Sequence, residues 1–196
     1  MIELADTTYN EERDGIIPIV AGTYPAHVAG LEGKELTTKA GEQKVFNVTF
    51  LIAEEAGKTH VPKMVKNGDG QLSQSTDDDG ELVTISGSFM VGKRFSSTGI
   101  WLTPNPAAGE GWKNRKYKEF FESLGVVFPQ NDNGDTVLAE IEESDIIGHP
   151  CFIKLGQEHY TKDGEERYVW KAFDAFTWSD GEILSEDEVV ADDLPF

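Results

Sequence analysis

The sequence predicts a mainly β protein built around one small barrel. Apolar side chains alternate with period two from Phe46 to Ile52, which is typical of a half-buried strand. NRKYKEFFESLG has the apolar spacing of a helix, and the later Asp163-Gly164 pair predicts a β-hairpin. The resulting order, three strands, one helix and two strands, is that of a five-stranded OB-fold, a partly open Greek-key barrel. Another small β-barrel or a β-sandwich is the alternative.

The first three strands are predicted between residues 21 and 92. Residues 1–15 are polar and acidic, and we expect them to form an N-terminal arm. The first strand lies in GTYPAHVAGL, and the polar loop EGKELTTKAGEQ joins it to the second strand in VFNVTFLIA. Residues 54–81 are rich in Gly, Asp, Ser and Lys, which predicts a long loop. The third strand is predicted over residues 82–92.

The helix and the closing hairpin occupy the second half of the chain. Residues 93–111 have an irregular pattern, with one short strand around residues 100–102. Gly125 stands where a helix C-terminal cap belongs, between the third and fourth strands. HPCFIKLGQ and ERYVWKAFDAFTW are the last two strands. Residues 179–196 are acidic and are expected to form a flexible tail, which leaves residues 16–178 as the folded domain.

The charge is distributed very unevenly. The 196 residues include 36 acidic and 17 basic side chains, and the net charge of −19 repels nucleic acid as a whole. Between residues 93 and 118 the sign reverses, because the only acid there is Glu110. The bases in this stretch are Lys93, Arg94, Lys113, Arg115, Lys116 and Lys118. A phosphate feels this local belt more than distant acids, since the Debye length is about 8 Å at physiological salt.

The basic belt also contains aromatic side chains. Proteins that bind single-stranded nucleic acid combine bases along the backbone path with aromatic rings on which nucleobases stack. The last hairpin repeats this combination. The predicted ssDNA-binding residues are Lys93, Arg94, Phe95, Trp101, Trp112, Lys113, Arg115, Lys116, Tyr117, Tyr160, Lys162 and Arg167. Which of these aromatic rings stack on bases and which belong to the core stays open at this point.

The last five residues form a candidate docking peptide. They are Asp192, Asp193, Leu194, Pro195 and Phe196. Two carboxylates, an apolar anchor and a terminal Phe suit a partner pocket that has a hydrophobic hole and basic residues. A solubilising acidic tail that happens to end in Phe is the alternative.

The DDLPF terminus resembles the acidic tip of bacterial and bacteriophage single-stranded DNA-binding proteins. AGTYPAHVAGLEGKELTTKAGEQKVFNVTFLI is similar to the opening of phage-encoded OB-fold proteins of this kind. FFESLG and IIGHPCFIKLGQEHYTKDGEERYVWKAF are similar to their later helix and final hairpin, so that the resemblance covers about two-thirds of the chain. Two features depart from it: the loops at residues 54–81 and 93–112 are long, and the N-terminal arm is acidic. The resemblance implies a DNA groove on the barrel and a tip that docks replication or recombination proteins.

The sequence therefore predicts a non-enzymatic protein that coats single-stranded DNA without sequence preference during replication, recombination or repair. The expected location is the cytoplasm, that of the host cell if a phage encodes the protein. The acidic tail, tethered beside the basic belt, is expected to compete with DNA for it. No cofactor, metal or membrane contact is expected, because Cys151 is the single cysteine and no apolar run approaches about 18 residues.

Two other functions remain open at this stage. The net charge favours an acidic adaptor or DNA mimic that binds proteins and never touches DNA. A metal-dependent nuclease is favoured only by an acidic cluster, which consists of Glu140, Glu142, Glu143 and Asp145. The oligomeric state and the number of nucleotides covered cannot be derived from these patterns.

Overall fold

The computed structural model describes residues 21–38, 41–66, 72–104 and 111–190. Ten strands and two α-helices follow one another in this part of the chain. They are β1 (Gly22–Thr38), β2 (Gly41–Ile52), β3 (His60–Pro62), β4 (Met64–Lys66), β5 (Leu72–Gln74), β6 (Thr84–Ser86), β7 (Arg94–Ser96), β8 (Ile100–Leu102), α1 (Gly111–Ser123), β9 (Pro150–Lys162), β10 (Glu165–Thr177) and α2 (Glu186–Val190). The mainly β prediction is confirmed, as is the long helix before the last hairpin.

The main sheet has six strands. Its order is β10-β9-β1-β2-β7, with β8 pairing separately with β2, and every strand pair in it is antiparallel. One parallel bridge joins Ser97, just after β7, to Ala172 of β10. Within the described residues no continuous ladder closes this sheet on itself. Two further two-stranded sheets, β3-β6 and β4-β5, are present. Strands β3, β4 and β5 lie in residues 54–81, which the sequence predicts as a long loop, whereas β6 lies in the predicted third strand.

Helix α1 packs its aromatic face against strand β2 and completes the core. The Phe46 and Phe121 ring centroids are 6.1 Å apart, and those of Phe50 and Phe120 are 6.3 Å apart, both edge to face. Such aromatic pairs contribute about 0.5–1.5 kcal/mol beyond their buried area. The predicted helix and its inward face are therefore confirmed, although α1 starts at Gly111, earlier than the predicted NRKYKEFFESLG segment.

Two boundaries differ from the sequence prediction. The described residues of the predicted polar loop, 32–38 and 41–43, are the outer part of strands β1 and β2, and apart from Gln43 their side chains are not buried. The predicted third strand is interrupted after Ser86, whose hydroxyl accepts a hydrogen bond from the Ser88 amide and caps a 3-10 turn. The part before this turn, β6, pairs with β3, and the third-strand pairing with β2 is formed by β7 and β8 instead.

The closing hairpin follows the prediction. Strands β9 and β10 pair along almost their whole length. Cys151 lies opposite Thr177 at the inner end, and Lys162 lies opposite Glu165 next to the turn. Asp163 and Gly164 form the turn, with φ of 56° and 83°, and this left-handed pair suits a two-residue hairpin connection. The hairpin therefore extends well beyond the short ladder that β9 shares with β1.

Residues 179–190 form a C-terminal strap that packs on the sheet. The Leu184 amide donates to the Gly148 carbonyl at 3.1 Å, and the side chain of Val189 in α2 is fully buried. The sequence predicts this segment as the start of a flexible tail because a single buried apolar residue, Val189, stands among many acids. The docking tip at residues 192–196 and the N-terminal arm lie outside the described residues. No helix in the described ranges is long and apolar enough to span a membrane.

Candidate nucleic-acid interface

A groove of about 580 Å³ lies between β8, α1 and β10. One wall carries two tryptophans, each with a lysine beside it. The Lys113 ammonium is 5.7 Å from the centroid of the Trp101 ring, and the Lys116 ammonium is 5.9 Å from that of Trp112. Four of the predicted DNA-binding residues are thus brought together on one surface. Each lysine can attract a phosphate while its neighbouring ring offers a face to a base.

Close contacts on β8 fix the position of Trp101. Its strand pairs with β2 through Val45, and Gly99 precedes it where a side chain would not fit. A Cβ atom at Gly99 would lie 2.8 Å from Val45 Cγ2 and 3.4 Å from Trp101 Nε1. The position of the Trp101 indole therefore depends on the absence of a side chain at residue 99.

The opposite wall comes from β10 and includes two aromatic residues that the sequence prediction of the site does not include. Phe173 and Phe176 line the groove with relative exposures of 39% and 47%. The β9-β10 register shifts between Ala172 and Asp174, so Phe173 occupies a bulge that redirects its side chain. Its ring lies over Gly156, where a Cβ atom would approach Phe173 Cε2 to 2.9 Å. The alternation in ERYVWKAFDAFTW does not indicate that Phe173 faces the groove, because a bulge changes the face of the sheet on which the following residues lie.

The groove carries both signs of charge. Besides Lys113 and Lys116, the carboxylates of Glu119 and Asp174 line it. Arg115 lies on the exposed side of α1, and its Nε is 3.9 Å from a Glu119 carboxylate oxygen. Arg115 is not part of the groove lining. The positive charge on this surface therefore depends on the two lysines that flank the tryptophans.

Arg94 has a structural contact at the strap. Its Nη2 atom donates to the Val189 carbonyl at 2.7 Å, which ties β7 to the last described helix. Its neighbour Lys93 accepts a hydrogen bond from the Ile52 amide through its backbone carbonyl at 3.0 Å. Neither residue lines the groove, so the strand part of the basic belt is separated from the helix part.

Two predicted contact residues belong to the core instead, which corrects the sequence prediction. Phe95 is 6% exposed and Tyr117 is completely buried. The Tyr117 hydroxyl donates to the Ala139 carbonyl at 2.9 Å, and burial raises its pKa well above the usual range. Neither ring presents a face to a ligand. Tyr117 and Trp112 are both aromatic residues of the same basic segment. The helical period places Tyr117 in the core and Trp112 at the surface.

The predicted residues of the last hairpin lie near its outer end. Tyr160 stands opposite Arg167 in the β9-β10 register, and Lys162 precedes the turn. The Arg167 guanidinium forms an ion pair of 3.1 Å with Glu165. All three predicted residues are exposed, and none of them lines the groove. The structure therefore does not bring them together with the tryptophans.

The acidic cluster at residues 140–145 has local structural contacts. Glu142 and Asp145 form a reciprocal capping box around a 3-10 turn, and Glu143 accepts a hydrogen bond from the Leu31 amide at 3.0 Å. Glu140 pairs with Lys44, and hydrogen bonds to Glu140 and Glu35 raise the pKa of that lysine. Among the described residues, no group of three or more His, Cys, Asp or Glu side chains is arranged to hold a metal ion.

His27 connects the sheet to the C-terminal strap. Its Nε2 atom is 3.1 Å from the Glu182 carbonyl, and its ring centroid is 5.6 Å from that of Trp178. Burial lowers the pKa of His27, although the Glu182 carbonyl and the carboxylates of Glu55 and Glu188 act in the opposite direction. The lowered pKa favours a neutral ring at the strap contact.

Comparisons with known proteins do not assign the chain to a family. No protein-family model matches the sequence, and no curated protein matches it. The function of the groove is therefore inferred from its own residues.

Proposed function

We propose that this chain is a non-enzymatic protein that binds single-stranded DNA in the groove between β8, α1 and β10. The observation that carries the proposal is the pair of tryptophan–lysine contacts, Trp101 with Lys113 and Trp112 with Lys116. Every base has a π-face, so stacking on such rings tolerates any sequence and contributes about 1–3 kcal/mol per base. The lysines attract the phosphates that link the stacked bases.

The exposure of the groove aromatics supports this proposal. Trp112 is 49% exposed, and the rings of Phe173 and Phe176 face the groove from the other wall. A protein does not gain stability from leaving several large rings in water, and clustered exposed rings mark binding surfaces. An open groove with aromatic walls also admits a chain of nucleotides, whereas a closed cavity would admit only one.

We also propose that the main sheet is an OB-type barrel. The strand order β10-β9-β1-β2-β7 is the order expected for that fold, with α1 between the third and fourth barrel strands. The parallel bridge between Ser97 and Ala172, and the 2.9 Å hydrogen bond from the Thr98 amide to the Ala172 carbonyl, bring the two ends of the sheet together. The resemblance to phage and bacterial single-stranded DNA-binding proteins supports the same fold and the same ligand.

Residues 192–196 are proposed to dock replication or recombination proteins. The strap holds the chain at Val189, so only a short segment separates the folded domain from this acidic, Phe-terminated peptide. Phe196→Ala is expected to abolish capture of such a partner and to leave affinity for DNA unchanged, because the ring is the apolar anchor. Equal partner capture by the variant and the unmodified chain would rule out this docking role.

A mobility-shift assay with oligo-dT, with and without Mg²⁺, tests the main proposal. Saturable binding with intact DNA is expected in both buffers. No binding would favour the acidic adaptor or DNA mimic that the net charge of −19 suggests. Shortening of the DNA in Mg²⁺ alone would favour a nuclease. Duplex DNA of the same length serves as the competitor, and it is expected to displace oligo-dT poorly because its bases are already stacked on each other.

A further inference from the structure

Within the described residues, two buried side-chain atoms near the groove have no hydrogen-bond partner. They are the Nε2 atom of Gln43 and the hydroxyl of Thr103, in residues that are 2% and 1% exposed. Leaving a buried donor unsatisfied costs about 1–3 kcal/mol, so such groups are rare in native proteins and call for an explanation. One explanation is a ligand that both groups contact.

The two unsatisfied groups are neighbours. The β2-β8 register pairs Lys44 with Leu102, which sets Gln43 and Thr103 opposite each other one step further along the same two chains. Residues opposite each other across antiparallel strands have Cβ atoms about 4.5–5.5 Å apart. Both side chains are therefore within reach of one small ligand.

Lys113 determines what kind of ligand this is. Its ammonium donates to the Oε1 atom of Gln43 at 3.3 Å, and an ammonium group cannot accept a hydrogen bond. The amide is therefore oriented with its NH₂ group as the unsatisfied atom. A cation, an amide NH₂ and a hydroxyl that can donate lie side by side, and these groups together suit an oxyanion.

The first turn of α1 adds to this preference. The Asn114 side chain accepts from the Thr103 amide at 2.9 Å and donates to the Thr103 carbonyl at 3.0 Å. These bonds hold the N-terminal end of a 13-residue helix against the end of β8. The N-terminal end of a helix carries partial positive charge and favours bound anions.

We propose that Gln43, Thr103 and Lys113 form a phosphate-binding position at the α1 end of the groove. This inference rests on the proposed function for the source of the phosphate, which is the backbone of single-stranded DNA. Lys113 lines the groove as well as contacting Gln43, so it joins this position to the stacking surface at Trp101. The two polar atoms are shielded from solvent, so binding of a phosphate there requires the surrounding side chains to rearrange.

Thermal unfolding in inorganic phosphate tests the position without DNA. Phosphate, compared with chloride at the same ionic strength, is expected to raise the Tm of the unmodified chain by about 2–4 °C. Thr103→Val keeps the side-chain shape, removes the hydroxyl and is expected to lose most of this rise. Thr49→Val is the matched control, because Thr49 is a partly buried threonine on β2 that does not line the groove. Gln43→Leu replaces Thr103→Val if that variant does not fold.

The same variants are then compared in oligo-dT binding. Thr103→Val is expected to bind about tenfold more weakly than the Thr49→Val control, as loss of one hydrogen bond to a charged group predicts. Equal phosphate-dependent shifts in all three proteins, or no shift in any, would overturn the phosphate position. A specific phosphate shift in a protein that does not bind oligo-dT would retain the position and refute the proposed function instead.

Discussion

The Lys113 ammonium lies 5.7 Å from the centroid of the Trp101 ring and also donates a hydrogen bond to Gln43. These three residues come from α1, β8 and β2, so one lysine connects the helix to both strands beneath it. The contact shows how the helix part of the basic belt comes to lie beside the aromatic residue of a strand. Lys113 therefore links the groove wall at Trp101 to the buried amide of Gln43.

Removing the exposed groove tryptophan should weaken DNA binding without unfolding the protein. Trp112 is 49% exposed, so Trp112→Ala removes little core packing. We expect the variant to bind oligo-dT less tightly by about 1–3 kcal/mol, the value of one base stacked on an aromatic ring. Fluorescence titration with oligo-dT at fixed salt measures the loss.

Tyr168→Ala provides the control for this experiment. Tyr168 is a 63% exposed aromatic residue on the outer hairpin and does not line the groove. Its replacement is expected to leave the affinity for oligo-dT unchanged. Equal affinity losses in both variants would show that exposed rings act non-specifically, and no loss at Trp112 would exclude stacking there.

A methyl group at residue 99 should disturb Trp101. In Gly99→Ala the new Cβ would lie 2.8 Å from Val45 Cγ2 and 3.4 Å from Trp101 Nε1, so one of the neighbours has to move. Overpacking of this kind costs about 1–3 kcal/mol. We expect a lower Tm and a changed tryptophan emission spectrum.

Gly111→Ala is the matched glycine control, since in the described residues no atom beyond the adjacent residues and the helix backbone lies within 4 Å of a Cβ built at Gly111. Its Tm is expected to stay the same or to rise slightly, because alanine favours the helix. If Gly99→Ala unfolds at the same temperature as the unmodified chain and keeps its emission spectrum, Gly99 does not position the indole.

Neutralising a groove lysine should change the salt dependence of binding. Each phosphate contact on a single strand contributes about 0.7 to the slope of log affinity against log salt. Lys116→Gln is therefore expected to reduce the magnitude of the slope by about that amount. Lys118→Gln is the control on the same helix, because Lys118 pairs with Glu122 at 2.8 Å and does not line the groove. Identical slopes in both variants would argue against a phosphate contact at Lys116.

The sequence predicted those parts of the fold whose pattern matches their burial. Strand β2 alternates because one face contacts the core, and α1 repeats its aromatics every three or four residues for the same reason. The outer β1-β2 hairpin could not be predicted in this way, since its described side chains other than Gln43 are not buried and form no apolar face. The strap was missed because Val189 is a single buried anchor among acidic residues, which a local composition cannot distinguish from a solvated tail.

The candidate site was predicted in part for similar reasons. Trp101, Trp112, Lys113 and Lys116 were selected from local composition, and the structure places them together. Phe173 was missed because its position depends on a bulge in β10 and on Gly156 of the neighbouring strand. A shift of one residue in the register moves a side chain to the other face, and a single sequence does not show such a shift.

The strap should contribute to the stability of the domain through Val189. This side chain is fully buried, and Arg94 donates to its carbonyl, so Val189→Ala removes packing at a fixed contact. We expect a loss of about 1–3 kcal/mol in the free energy of unfolding, measured in urea. Ile183→Ala is the control within the strap, because Ile183 is 65% exposed and its truncation should cost little. Equal stability of the two variants would mean that the strap is not docked in solution.

Stability should fall with acidification through His27. Burial at the strap contact lowers the pKa of His27 below its usual 6.5, so the unfolded chain takes up this proton more readily than the folded one. The contribution of His27 is therefore complete above about pH 6.5 and is lost as the pH falls below that value toward the lowered pKa. The free energy of unfolding at about pH 7.5 and about pH 5.5 measures the effect. Glu55 and Glu188 moderate it, since both carboxylates favour the protonated ring.

Replacement of the histidine separates this effect from the titration of the many acids. His27→Gln keeps a side-chain NH group that can donate to the Glu182 carbonyl but cannot take up a proton at these pH values. The variant is expected to lose less stability than the unmodified chain when the pH drops from about 7.5 to about 5.5. His159→Gln, on the exposed outer hairpin, serves as the control and should lose as much as the unmodified chain. If His27→Gln follows the same pH profile as that control, the protonation of His27 does not weaken the strap contact.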